Sequence, residues 1–192
     1  MFRAECKAGT ALGKLACSLL SEGKLVPDGI TNEIVAGRIA KSDCNNGFLL
    51  DGYPRTVPQA MHFASLLQSR GLPDPVVIHL DVRDSDLIAR LTARRQCPEC
   101  KHIYNLLSKP PRVDGKCDHD GAALMQREDD CESVIVQRLR AYEEQTGPVL
   151  DWYGHQYVRR VDGSAPLDHV RHAVERAISS HGTLRTAPGL LS

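Results

Sequence analysis

The stretch Pro75-Val-Val-Ile-His-Leu-Asp81 is a continuous run of mostly apolar residues. Such a run is typical of a parallel strand whose two faces are both covered. A helical pattern over Asp84–Arg95 follows it directly, with apolar residues at helical spacing. The stretch therefore predicts a strand followed by a crossover helix, the repeating unit of an α/β fold.

The same alternation of strand and helix occurs on both sides of this unit. Gly47-Phe-Leu-Leu-Asp51 predicts a short buried strand, and Thr56–Ser69 predicts the helix after it. Tyr157–Val161 predicts a third strand, and Pro166–Ser179 predicts the last helix. The fold class is therefore α/β, with a parallel sheet flanked by helices.

Three further helices complete the predicted core. Leu12–Leu20 and Ile30–Ala40 have apolar residues at helical spacing, and so does the long segment Cys131–Tyr153. Pro148 is expected to kink or split this last helix, because proline lacks the amide hydrogen that the helix needs. The segment Gln96–Asp130 interrupts the alternation, and we interpret it as a small inserted domain.

Composition excludes several classes of protein. The chain has 192 residues, with 24 basic and 24 acidic side chains and a formal net charge of zero. This balance argues against a protein held to nucleic acid or to a membrane by bulk charge. The sequence shows neither a secretory signal nor a run of 18 apolar residues, so we expect a cytoplasmic protein.

The insert has cysteines at the spacing of metal ligands. Cys97-Pro-Glu-Cys100 is followed, after sixteen residues, by Cys117-Asp-His-Asp120. Two turns that each present ligands at this short spacing are typical of a tetrahedral zinc site. Asp120 repeats the spacing of the first pair and is the favoured fourth ligand, with His119 as the alternative. Four protein ligands leave no open position, so the predicted role is structural.

Asp51-Gly-Tyr-Pro-Arg55 follows the strand predicted over 47–51. In open α/β sheets, ligands bind beyond the carboxyl ends of the strands. There Asp51 could hold Mg²⁺ through water, and Arg55 could form a bidentate contact with a phosphate. The alternative is an ordinary turn with a surface ion pair.

Arginines stand at both ends of the insert. Arg90, Arg94 and Arg95 precede it, and Arg127 and Arg138 follow it. This placement would let phosphate binding close the insert as a lid. Asp129 and Asp130 are then expected to pair with arginines rather than to act as bases. For any single arginine, a solvated helix end is an equally good explanation.

Several of these segments together resemble the adenylate kinase family. The most specific is Phe48-Leu-Leu-Asp-Gly-Tyr-Pro-Arg-Thr-Val-Pro-Gln59. Gly23-Lys-Leu-Val26, Arg127-Glu-Asp-Asp130, Arg138-Leu-Arg-Ala-Tyr142 and Val161-Asp-Gly163 are also similar, as is the cysteine spacing of the insert. The resemblance implies a P-loop kinase-like sheet with a zinc-binding lid.

The resemblance also implies the reaction, its partners and a division of the chain. The reaction is ATP + AMP ⇌ 2 ADP with Mg²⁺, in nucleotide salvage and energy homeostasis, by a monomer whose partners are ATP, AMP and ADP. The implied division is a partial region for the nucleoside monophosphate at 1–26, a core at 27–95 and 131–179, a lid at 96–130 and a flexible tail at 180–192.

Each site residue has an implied role. The catalytic residues are Arg94, Arg127, Arg138 and Asp51. The AMP contacts are Arg3, Lys24, Val26, Gly52, Arg55 and Gln59. The ATP contacts are Arg90, Arg94 and Tyr104, and the zinc ligands are Cys97, Cys100, Cys117 and Asp120.

The sequence departs from the family pattern at its beginning. The family starts with a strand and the phosphate loop G-x-x-x-x-G-K-[ST], to which no stretch here corresponds. The nearest, Gly9-Thr-Ala-Leu-Gly13-Lys14-Leu15, is one residue short and ends in leucine. We expect the first strand and loop to be absent, and turnover to be at least about 1000-fold slower than with them. The alternative is a non-catalytic, AMP-binding or regulatory remnant.

Overall fold

The computed structural model describes residues 26–180. The predicted helix over 12–20, the AMP contacts Arg3 and Lys24, and the tail beyond residue 180 lie outside the described residues. Within 26–180, no helix combines the length and apolar character needed to cross a membrane.

The described elements alternate between helices and strands. In chain order they are α1 (Asp28–Ile39), α2 (Val57–Ser69), β1 (Val77–Asp81), α3 (Asp84–Thr92), β2 (Arg94–Gln96), β3 (Ile103–Asn105), α4 (Glu132–Ala141), a π-helical segment (Tyr142–Thr146), α5 (Gly147–Tyr153), β4 (Val158–Asp162) and α6 (Leu167–Ser179). Short 3₁₀ turns lie at Ser42–Cys44 and Glu128–Asp130.

Strands β1 and β4 pair in parallel, in a register that runs from Val77 opposite Val158 to Asp81 opposite Asp162. Their carboxyl ends are tied by the N–H of Gly163, which donates to the carbonyl oxygen of Asp81 over 2.8 Å. A Cβ at Gly163 would lie 2.5 Å from Cγ2 of Val82, so only glycine fits this turn. The predicted α/β class with a parallel sheet is confirmed.

The strand predicted over 47–51 is wrong for the described structure. Residues 47–50 are in neither helix nor strand, and no described strand pairs with them. Phe48 and Leu49 are 37% and 84% exposed. An apolar run becomes a strand only when a neighbour completes its hydrogen-bond ladder, and within residues 26–180 this segment has none.

The helix predicted over Asp84–Arg95 is shorter than expected. It ends at Thr92, and Arg94 starts the short strand β2, which pairs antiparallel with β3. The pairing with Ile103–Asn105 decides the conformation of residues 94–96, which a helical period alone could not reveal. The insert boundary expected at residue 96 therefore falls inside β2.

The long helix predicted over Cys131–Tyr153 is split, as expected, close to Pro148. The N–H of Gly147 donates to the carbonyl of Tyr142, five residues earlier, so the chain forms a π-helical turn before α5 begins. Pro148 has no amide hydrogen to continue the ladder. A π-helical turn inside an α-helix often lies at a functional site.

Two apolar clusters hold the main body together. One joins α1 and α2 and consists of Val35, Ile39, Tyr53, Phe63 and Leu67. The other joins α2 and α5 through Ala60, Val149 and Tyr153, with Val77 and Val158 of the sheet against it. The insert has its own small core of Cys97, Tyr104 and Cys117.

Candidate nucleotide-binding site and metal cluster

The turn before α2 fixes the predicted phosphate-binding arginine. The Nε of Arg55 donates to the carbonyl oxygen of Gly52 over 2.8 Å. Gly52 has a φ of 72°, and a Cβ there would lie 2.7 Å from an Nη atom of Arg55. Glycine is therefore required both for the left-handed backbone and for the approach of the guanidinium.

The start of α2 is locked by buried polar bonds. The hydroxyl of Thr56 accepts a hydrogen bond from the N–H of Gln59 and donates one to the Asp28 carboxylate. The Gln59 amide donates to Asp28 over 2.7 Å and accepts from the N–H of Arg55 over 2.8 Å. Gln59 is 2% exposed, so its amide holds the turn together in this conformation. Its predicted contact with the adenine of AMP stays a prediction.

Arg138 contacts the exit of the insert, and its charge acts on Arg55. It donates to the carbonyl oxygen of Asp129 over 3.3 Å and lies 3.9 Å from that residue's carboxylate. The pKa of Arg55 is lowered from its ordinary value by desolvation and then by the charge of Arg138, while Asp51 partly opposes the shift. Two guanidinium groups that repel each other in this way form a site suited to an anion.

Arg94 forms the most buried ion pair among the described residues. Its Nε donates to Asp130 over 2.7 Å, and its Nη2 makes a second, short contact with the same carboxylate. Asp130 is fully buried and the Arg94 side chain is 22% exposed. The hydrogen bond to Asp130 raises the pKa of Arg94 further. The prediction that Asp129 and Asp130 pair with arginines is confirmed.

Arg127 lies at the exit of the insert, beside the strand that enters it. Its Nε donates to Oε1 of Gln96 over 2.9 Å. The neighbouring Gln126 donates to the carbonyl oxygens of Thr92 and Asp130. Side-chain bonds therefore join the two ends of the insert at the hinge.

Arg90 reaches the carboxyl end of the sheet. Its Nη1 donates to the carbonyl oxygen of Gly163 over 2.9 Å. An open cleft of about 470 Å³ lies beside the same strand ends, lined by Asp81, Arg83, Arg160, Val161, Asp162 and Ser164. This is the edge of an α/β sheet at which ligands commonly bind.

The predicted zinc ligands come together in the insert. One donor atom from each of Cys97, Cys100, Cys117 and Asp120 lies within 4.8 Å of all the others. The Cys100 and Cys117 sulfurs are 3.5 Å apart, and the Cys97 sulfur is 3.2 Å from an Asp120 oxygen. Zinc–sulfur bonds of about 2.3 Å in a tetrahedron place two sulfurs roughly 3.8 Å apart, so the donor set fits zinc. His119 is not a member of this set, and the choice of Asp120 as the fourth ligand stays a prediction.

The bonds around the cluster favour the deprotonated form of Asp120 and Cys117 but not of Cys100. A backbone hydrogen bond at His102 lowers the pKa of Cys100, yet burial and hydrogen bonds with the other ligands raise it to about 12. The N–H of Ala122 donates to Asp120, and this bond, with the contact to Cys97, keeps the pKa of Asp120 below its usual value. Burial tends to raise the pKa of Cys117, but bonds from Tyr104 and from the N–H of His119 bring it below the ordinary value. Thiolate and carboxylate are the forms that bind zinc.

Three predicted contacts lie in less obvious places. Tyr104 is 2% exposed in the core of the insert, and its hydroxyl accepts from the N–H of Asp118. This burial does not support its predicted contact with ATP. Val26 is buried, and its carbonyl accepts from the Thr31 hydroxyl. Asp51 is exposed beside the Arg55 turn, where a bound cation could reach it.

Sequence reasoning missed several polar residues that organise the site. The Asp28 carboxylate anchors Thr56 and Gln59. Gln96 was taken only as the first residue of the insert. Tyr142, in the π-helical turn, bonds the His79 ring of β1 over 3.0 Å. These partners are distant in sequence, so local pattern carries no signal for them.

Comparisons with known proteins agree with this arrangement. A family model described as adenylate kinase matches residues 1–158. The adenylate kinase of Exiguobacterium sibiricum is 46% identical over 176 residues, which is 91% of this chain and 82% of the relative. That of Caldanaerobacter subterraneus is 42% identical over 179 residues, 93% of this chain and 81% of the relative.

The parallel strand pair flanked by helices is consistent with the α/β class of phosphotransferases that act on nucleotides. With the match over most of its length, the chain belongs to the adenylate kinase family. Its activity is adenylate kinase-type phosphoryl transfer between ATP and AMP to give two ADP, with Mg²⁺ accompanying ATP.

Proposed function

We propose that five arginines bind the phosphates of the two nucleotides. Arg55 holds the phosphate of AMP, Arg90 lies on the ATP side, and Arg94, Arg127 and Arg138 surround the phosphoryl group in transfer. The observation that carries this proposal is the placement of Arg138, which touches Asp129 at the insert exit and whose charge lowers the pKa of Arg55.

The repulsion between Arg55 and Arg138 gives the site its chemistry. A phosphate between the two guanidinium groups would replace that repulsion with charge-assisted hydrogen bonds. Phosphoryl transfer needs little more than in-line positioning and neutralisation of charge on the oxygens. No side chain is therefore required to form a covalent intermediate.

Asp51 is the proposed residue for orienting the metal. It is exposed at the start of the Arg55 turn, and carboxylates hold Mg²⁺ directly or through water. Mg²⁺ bound with ATP neutralises charge on the phosphate oxygens.

For the insert we propose a lid held by structural zinc. Its ligands are Cys97, Cys100, Cys117 and Asp120, whose spacing and distances fit that ion. The insert buries little besides Cys97, Cys117 and Tyr104. A segment of this size needs a metal or another cross-link to fold stably. The lid boundaries at residues 96 and 130 belong to this proposal.

The remaining sequence expectations stay predictions. They comprise the AMP contacts of Arg3, Lys24, Val26, Gly52 and Gln59, the ATP contact of Tyr104, the monomeric state and the cytoplasmic location.

The proposal is tested by measuring ADP formation from MgATP and AMP with the purified chain. The expected result is formation of ADP that needs both nucleotides and Mg²⁺ and that falls at least about 100-fold in R138A, because misplaced phosphates react slowly. Arg140→Ala, an exposed arginine of the same helix, is the matched control.

Two outcomes would contradict the proposal. Equal activity of R138A and R140A would remove Arg138 from the site. Binding of AMP in calorimetry without any ADP formation would favour the alternative of a non-catalytic, AMP-binding remnant.

A further inference from the structure

Gln96, at the entry to the insert, is held by hydrogen bonds at both its backbone and its side-chain amide. The backbone of Gln96 exchanges hydrogen bonds of 2.8 and 3.0 Å with Met125, where the chain leaves the insert. Its side-chain Nε2 donates to the carbonyl oxygen of Lys101 over 3.2 Å. Its Oε1 accepts from Nε of Arg127 over 2.9 Å. Because the amide nitrogen is engaged by Lys101, the amide oxygen faces the arginine.

We propose that Gln96 is a positioning residue that orients the Arg127 guanidinium toward the transferring phosphate through a neutral acceptor. The inference rests on the proposed role of Arg127. A guanidinium is planar, so a bond at Nε over a fixed acceptor sets the plane of the whole group. The backbone of Gln96 is bonded to Met125, near the exit of the insert. Gln96 therefore fixes the position of the Arg127 guanidinium relative to that part of the chain.

The neighbouring arginine shows the contrast. Arg94 is held by the buried Asp130 carboxylate, whose negative charge compensates its positive charge. Gln96 makes the equivalent bond to Arg127 with a neutral amide oxygen, which orients the guanidinium and adds no negative charge near the phosphates. A carboxylate at position 96 would repel the nucleotide phosphates and compete with them for the guanidinium.

The test is a double-mutant cycle on the purified chain, with kcat and KM for MgATP measured from ADP formation. Q96M, R127A and the double variant form the cycle, and Gln137→Met on the exposed side of α4 is the matched control. We expect Q96M to lower kcat/KM about 10-fold in the parent chain and less than about 2-fold in R127A, because it acts through Arg127.

A second variant separates charge from position. Q96E keeps the acceptor and adds a charge, so we expect KM for MgATP to rise and the rise to shrink with added salt, while kcat changes less than about 2-fold. A purely structural role would instead lower the melting temperature in Q96M and Q96E alike and would give no dependence on salt. Q96E also carries the test if Q96M fails to fold.

Each of the remaining outcomes would contradict either this inference or the proposed role of Arg127. Equal kinetics of Q96M and Q137M would overturn the inference, and so would the same loss from Q96M in both backgrounds. If R127A itself changed nothing, the proposed role of Arg127 would fail and this inference with it. A strong effect of R127A beside an unaffected Q96M would overturn the inference alone.

Discussion

At the scale of single residues, charge separates the arginines of the site into two kinds. Arg94 is paired with a fully buried carboxylate, and its charge is compensated within the protein. Arg55 is held by a carbonyl oxygen, and its pKa is lowered by desolvation and then by the charge of Arg138, while Asp51 partly opposes the shift. An arginine of the second kind gains most from an incoming phosphate, because the phosphate supplies the missing negative charge.

Arg55→Lys is expected to weaken AMP binding although the positive charge is kept. Lysine cannot make the planar bond to Gly52 and contact a phosphate with the same group. Loss of one hydrogen bond to a charged group is worth about 1.5–3 kcal/mol, or roughly 10- to 150-fold in affinity. Calorimetric titration with AMP measures it, with Arg70→Lys at the exposed end of α2 as control. Unchanged affinity in R55K would show that Arg55 is only a surface charge.

Asp130→Asn is expected to destabilise the fold as well as slow the reaction. It leaves the partly buried Arg94 without its carboxylate, and removing one partner of a buried pair costs about 3–5 kcal/mol. For a chain of this length that corresponds to a melting temperature lower by roughly 6–20 °C. Thermal denaturation measures it against Asp114→Asn, an exposed residue of the insert. Equal melting temperatures would mean that water reaches Arg94 and replaces the carboxylate.

At the scale of elements, the insert has only a small core beside the proposed zinc ligands, whereas the main body is held by packing. Strands β2 and β3 are only three residues each, and the buried residues of the insert core are Cys97, Tyr104 and Cys117. The main body packs α1, α2 and α5 around apolar side chains and a parallel strand pair. Loss of the metal is therefore expected to unfold the insert first.

The insert is expected to bind about one Zn²⁺ per chain, held by four protein ligands. D120A and C117S should lose the ion, whereas H119A and C131S, at positions outside the ligand set, should retain it. Metal analysis of protein purified without chelator measures the content. Less than about 0.2 Zn²⁺ per chain in the parent protein would remove the zinc site, since structural sites bind far more tightly than that content implies.

At the scale of the whole molecule, the proposed nucleotide site joins parts that are distant in sequence. Arg55 follows the segment at 47–51, Arg138 lies on α4, and Thr146 of the π-helical turn donates to the carbonyl of Arg55 over 3.0 Å. Arg90 joins α3 to the end of β4. A ligand held by these groups connects several elements at once and therefore stabilises the fold as a whole.

AMP is accordingly expected to raise the melting temperature. A ligand at about 100 times its Kd that binds only the folded state adds about 2.7 kcal/mol, or roughly 5–11 °C for a chain of this size. Differential scanning fluorimetry measures the shift, and adenosine, which lacks the phosphate, is the control. An equal shift with adenosine would mean that the base, rather than the arginines, carries the binding.

The sequence by itself determined the features that depend on neighbours along the chain. Val77–Asp81 forms a strand, as its continuous apolar run predicts, although its expected cover on both faces is incomplete within the described residues, where Leu80 is 51% exposed. Thr56 caps α2, as local capping chemistry predicts. The cysteine spacing selected Cys97, Cys100, Cys117 and Asp120 because each short turn presents its own two ligands. These patterns involve only a few neighbouring residues, so they can be recognised without knowing the fold.

Only the tertiary structure decided the features that need a distant partner. The apolar run at 47–50 lacks a ladder within the described residues, and residues 94–96 became a strand because β3 lies beside them. The acceptors that hold Arg94 and Arg127 lie across the hinge of the insert, at Asp130 and Gln96. Hydrogen bonds and ion pairs between residues distant in sequence depend on how the chain folds. Local sequence patterns therefore do not reveal which residues will pair.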